Sequence, residues 1–282
     1  MASQDIFNPP NIVQILLKCC NFNYPRLAST AFALFHRHMT QKAALIKRCK
    51  EVQVLVYPEV ARMYYDVHVD ISELRRQNKW LASDDDGSKA NAFLKITAVL
   101  NKLRGLTTVG SSVSVAGHTM VMDAETVPKS QAILRNLNAH SYIIALLRGS
   151  IDRRKKAAEG SGDEEDGPQL DITAEPEKRD LYNLAYSALA SFCTGNDTNQ
   201  RLLFPLLKDS ACFLFHMGIE GLNAAVAITA IFKGNVKLSE KVDEGVITCV
   251  FELLTRHGKQ ARWLHLLASL VVVDGKPNKR NQ

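Results

Sequence analysis

Phe192-Cys193-Thr194-Gly195-Asn196-Asp197-Thr198-Asn199-Gln200 stands between two apolar segments, and its reading decides the fold. Before it, Leu181, Leu184, Ala185, Ala188, Leu189 and Phe192 recur at the spacing of one helix face. After it, Leu202-Leu203-Phe204 opens a second buried segment. Gly195 and Asn196 provide the backbone freedom of a tight helix–helix turn. Helix pairs joined in this way are the unit of an α-solenoid, so the spacing predicts an all-α, armadillo-like solenoid of stacked antiparallel helix pairs.

Helical spacing extends outward over most of the chain. Segments are expected over 11–20, 26–39, 41–56, 59–81, 90–106, 128–137, 139–147 and from 178 to 273. The expected organisation is an N-terminal helical segment over 1–148, with an irregular loop at 107–127 that forms at most a weak strand pair. A Gly/Ser/Pro-containing, basic-then-acidic linker follows over 149–176 and is expected to be disordered; Ser161 in it could accept a phosphate but reads as an unmodified linker serine. A C-terminal helical segment occupies 177–282 and reads as truncated. Leu34, Phe35, Leu189, Phe192, Leu254 and Leu264 are the expected core.

An internal echo supports a repeat: Leu27, Ala28, Ala31 and Phe35 match Leu184, Ala185, Ala188 and Phe192 at a constant offset of 157 residues. In both copies a polar turn is expected to lead to Gln41 or Gln200. A looser third copy runs through Ile247, Val250, Phe251 and Leu254 to His257-Gly258, where Gly258 fits a helix C-cap.

Composition narrows the function classes. Six cysteines without a CxxC pair suit neither a zinc site nor a disulfide framework. No apolar run approaches the roughly 20 residues of a membrane span, and no secretory signal is visible at the N-terminus, so a soluble, cytoplasmic chain is expected. The net charge is +6, but Arg153-Arg154-Lys155-Lys156 is followed by Asp163, Glu164, Glu165 and Asp166, and the remaining basic residues are dispersed. That dispersal argues against a nucleic-acid stripe.

Chemistry-bearing motifs are missing. With Gly87 at position six of a calcium loop, Ala82 and Phe93 occupy the first and last ligand positions; with Gly167 there, Gly162 and Thr173 do. Neither phosphate-loop glycine pattern occurs, nor GxSxG, nor HExxH. No catalytic, cofactor-binding or metal residue is assigned, no cofactor is expected, and the chain reads as a non-enzyme.

Laid out in this way, the sequence resembles the homology domain shared by inositol trisphosphate receptors and, more distantly, ryanodine receptors. The residues that carry the resemblance are Tyr24-Pro25, Leu34-Phe35-His36-Arg37-His38, Lys50 to Val56, Leu134-Arg135-Asn136-Leu137-Asn138-Ala139-His140, Phe192 to Asn196 with Asn199-Gln200, and His257-Gly258 with Leu264 and Leu267. Residues 128–282, with the linker as an insertion, carry the domain likeness, whereas Asp84 to Val127 shows none. The resemblance implies a cytosolic helical relay module of a ligand-gated calcium-release channel at the endoplasmic reticulum. Its implied partners are neighbouring modules of a homotetrameric parent or other proteins, with no nucleic acid and no membrane contact of its own. The family's β-trefoil ligand core and pore helices have no counterpart here. A freestanding armadillo-type adaptor that binds a protein partner is the alternative.

Overall fold

A computed structural model describes residues 12–51, 57–80, 86–149, 176–209, 211–219, 221–273 and 276–277. The expected linker, with Ser161, lies outside the described residues apart from its two ends, as do Asp84, Asp85 and Arg153 to Lys156. The chain divides into two compact units, Met1–Val54 and Leu55–Gln282.

The first unit contains α1 (Ile12–Cys20) packed on α2 (Pro25–Glu51). Two helices were expected where α2 runs through unbroken. No glycine or proline interrupts 39–41, and the Thr40 hydroxyl donates back to His36 O at 2.8 Å instead of capping a new helix. The polar turn before Gln41 is therefore absent. Ala31 is buried, but Leu34 is 50% exposed, which corrects its assignment to the core. One partner helix covers only one stripe of α2, and Leu34 lies off that stripe.

The second unit opens with α3 (Pro58–Trp80) and α4 (Asp86–Leu106), packed through Met63, Val67, Leu74, Ile96, Leu100 and Leu103. Lys102 on α4 is clasped by Asp66 and Asp70, one turn apart on α3, at 2.6 Å each. Next comes a β-hairpin, β1 (Ser112–Val115) paired antiparallel with β2 (His118–Val121), in place of an irregular loop. Val113 and Val115 are buried while Ser112 and Ser114 are exposed, the period-two pattern of a half-buried strand. Ala116 and Gly117 both take positive φ, as a two-residue hairpin turn of the strand-matching hand requires. Helices α5 (Thr126–Asn136) and α6 (139–149) follow.

The remaining helices are α7 (Pro176–Cys193), α8 (Asp197–Leu203), α9 (Leu206–Asp209), α10 (Ala211–Met217), α11 (Ala224–Phe232), α12 (Val236–Ser239), α13 (Glu244–His257) and α14 (Ala261–Val271). A short antiparallel pair, Val272–Val273 with Lys276–Pro277, follows α14. Helices α4, α7, α11 and α14 pack in sequence as one row, which makes this unit a helical, solenoid-class stack with only small two-stranded elements among its described residues. The interior member α11 is apolar nearly all round, with Ala224, Ala225, Ala227, Ile228, Ala230, Ile231 and Phe232 buried; its alanines let flanking helices approach closely.

Leu189 and Phe192 are buried as expected, and Leu254 is half-buried. Leu264 is 44% exposed. On α14 the buried stripe runs through Trp263, Leu266 and Leu270, and Leu264 sits one residue, about 100° of helix rotation, away from it. In denaturant unfolding, Phe192→Ala should cost about 3–5 kcal/mol and Leu264→Ala less than about 1 kcal/mol. Equal shifts would contradict this placement of the core.

Candidate functional site

A helix that ends in a tight turn leaves its last carbonyls without intrahelical partners, and buried carbonyls must find donors elsewhere. At the end of α7 the donor comes from α5. Gln131 Nε2 donates to Ser191 O at 3.0 Å and to Thr194 O at 2.9 Å. Its Oε1 accepts from Asn196 Nδ2 at 3.0 Å, and Asn196 Oδ1 caps α8 by accepting from Asn199 N at 3.1 Å.

The same device recurs one layer on, at an offset of 39 residues from Asn196 to Asn235. Gln200 Nε2 donates to Ala230 O at 3.0 Å and Lys233 O at 2.9 Å, closing the end of α11. Its Oε1 accepts from Asn235 Nδ2 at 2.9 Å, and Asn235 Oδ1 caps α12 through Leu238 N at 3.2 Å. Gly195 and Gly234 carry the matching left-handed turns, with φ of 67° and 71°. Each amide is used at both ends, so flipping either would set donor against donor or acceptor against acceptor.

Asn199 belongs to the first layer and is the chain neighbour of Gln200 in the second. It is fully buried, donates Nδ2 to Phe192 O at 2.9 Å, and accepts at Oδ1 from Arg135 Nη1 at 2.8 Å. Gln131 and Gln200 are each 1% exposed. The result is an amide ladder of two clamps, one from α5 to the α7–α8 turn and one from α8 to the α11–α12 turn, joined through the adjacent residues Asn199 and Gln200. At the position that follows Gln200 by 39 residues stands Ser239, whose hydroxyl reaches back to Phe232 O at 3.5 Å and so does not extend the ladder by a glutamine. At the opposite ends of α7 and α11, Asn183 donates to Gly221 O and accepts from Asn223 N, both at 2.9 Å.

A family model for the RIH domain, the homology domain of ryanodine and inositol trisphosphate receptors, matches residues 112–282. The chain belongs to this RIH-domain family. The match begins at β1, so the domain takes in the hairpin that the sequence resemblance left out, and it contains every residue of the amide ladder. Among curated proteins, an inositol 1,4,5-trisphosphate receptor of Caenorhabditis elegans, itr-1, is 22% identical over 96% of this chain. The chain spans only 11% of that receptor's length.

No catalytic or metal residue was expected from sequence. Among the described residues of this RIH chain, no group of three or more His, Cys, Asp or Glu side chains is placed to hold a metal, and no helix is long and apolar enough to cross a membrane. The sequence reading singled out the turn 192–200 but took Gln200 as the start of a helix, not as a clamp. The signal that would have found the clamp is the Gly-Asn pair repeated at 195–196 and 234–235, each four residues before a buried polar side chain.

Two buried imidazoles pack against side chains of α7. His140 stacks on Phe192 with ring centroids 5.9 Å apart, and His216 shares a 2.7 Å hydrogen bond with the Tyr186 hydroxyl. Burial lowers the pKa of each to about 4. The unfolded rings take up protons near pH 6.5. Their contribution to stability is therefore complete above that pH and is lost as pH falls toward 4. The thermal midpoint should drop steeply over that window, and His140→Phe should flatten the drop; an unchanged acid limb would contradict the assignment. At pH 7, Gln200→Leu should cost about 3–5 kcal/mol, because it strands Asn235 Nδ2 and two carbonyls, while Arg201→Ala beside it should cost less than about 0.5 kcal/mol. Chemical denaturation of both variants measures the difference.

Proposed function

We propose that this chain is a cytosolic helical relay module of an inositol trisphosphate receptor-like calcium-release channel at the endoplasmic reticulum. It contributes no chemistry of its own; its role is to carry a ligand-induced displacement between neighbouring modules of a homotetrameric parent. Membership of the RIH family and the likeness to a receptor of whose length the chain spans 11% support a place within a larger subunit.

The observation that carries the relay reading is the amide ladder. A relay must resist sliding between its layers, and apolar packing alone tolerates small shifts because dispersion is weakly directional. The ladder opposes a shift in steps, since moving one layer by a residue breaks bonds to Gln131 or Gln200 and buries unpaired amides. Displacement at one layer is thereby passed to the next as a rigid-body motion.

The test is an inositol trisphosphate receptor in which the corresponding segment is replaced by this chain. Ligand-evoked calcium release from microsomes should persist with the unaltered chain. With Gln200→Leu it should fall several-fold while inositol trisphosphate binding to the channel stays the same. Release insensitive to that change would overturn the relay role. Calorimetry of the isolated chain should show no micromolar binding of inositol trisphosphate; such binding would make the chain a ligand site instead.

A further inference from the structure

Among the described residues, Arg135 is the charged side chain bonded into the amide ladder, and no described carboxylate balances its charge. It is half-buried on α5, and its single hydrogen bond among the described residues runs from Nη1 to Asn199 Oδ1 at 2.8 Å. No carboxylate lies within ion-pair distance of it among the described residues. Burial pulls its pKa below the usual arginine value, with no acidic neighbour to offset that cost. Lys129 on the same helix pairs with Glu125 at 2.7 Å, and Arg201, two residues after Asn199, pairs with Asp197 at 3.4 Å.

A guanidinium has five donors in a planar fork. Here one is spent on holding the group in place against Asn199, and the partly exposed residue keeps further donors in an oriented fork. Such a fork matches a carboxylate bidentately. A polyphosphate needs several converging cations, and Lys129 and Arg201 each already share their charge with a carboxylate.

We infer that Arg135 is a docking anchor for an acidic protein segment, one Glu or Asp of which closes a bidentate pair on the free face of the guanidinium. That contact adds a rung to the ladder at Asn199, so an acidic partner docked there would stiffen the joint between α5 and the α7–α8 turn. The inference concerns contact chemistry and is read from binding alone, so it stands or falls separately from channel gating.

The test is titration of the full chain with an acetylated, amidated decapeptide of alternating Glu and Gly. The Arg135 side-chain Nε–Hε resonance should shift on titration. Arg135→Gln should weaken the peptide's affinity about tenfold, and Arg201→Gln should leave it within about twofold. If Arg135→Gln does not fold, the shift of the wild-type resonance decides by itself. An Arg135 resonance that stays still, equal affinities for wild type and Arg135→Gln, or a response to inositol hexakisphosphate but not to the peptide would each overturn the proposal, the last in favour of a small polyanion.

Discussion

The reciprocal Gln–Asn amide pair is the interaction on which the second unit depends. At Gln200 and Asn235, as at Gln131 and Asn196, one side chain closes the end of a helix in a neighbouring layer while its partner starts the next helix. Both residues are needed because the turn has two sets of orphans, the carbonyls behind it and the N–H groups ahead of it. A leucine of the same size would satisfy neither. The alanine-rich surface of α11 makes the arrangement possible, since it brings α8 close enough for Gln200 to reach Ala230 O and Lys233 O.

Apolar packing and polar ladder divide the work between them. Burial of residues such as Leu189, Phe192, Ile228 and Trp263 supplies the driving force for stacking, but it fixes register only loosely. The amides contribute little net energy when satisfied and a large penalty when broken, so they define register sharply. That division suits a module whose proposed task is to move as a body rather than to deform. Arg135 stands out in the ladder because it is charged and, among the described residues, has one hydrogen bond and no ion pair.

Much of the architecture was legible in the sequence because helix periodicity and the Gly-Asn turn are local signals. The stripe from Leu181 to Phe192 and the turn at Gly195 identified both the stacking helix and its end, and the turn residues carried the family likeness. The continuity of α2 was missed because Thr40 bonds back into its own helix, which no pattern of apolar spacing reveals. The hairpin was underweighted because its two strands are four residues each, and only Val113 and Val115 show the alternation. Leu34 and Leu264 were misjudged because residue type signals hydrophobicity, whereas burial depends on which stripe a partner helix covers. The clamp itself was out of reach of spacing arguments: Gln131 and Asn196 are 65 residues apart, and a glutamine in a helix looks like surface until its acceptors are known.

Native-state hydrogen exchange of the chain with Gln131→Leu tests the coupling of layers most directly. The altered side chain touches only the α7–α8 turn. If the ladder joins the layers, exchange should quicken at 191–200 and also at 233–238, where Gln200 holds the next turn. Faster exchange confined to 191–200, with 233–238 unchanged, would contradict a continuous ladder and leave two independent caps.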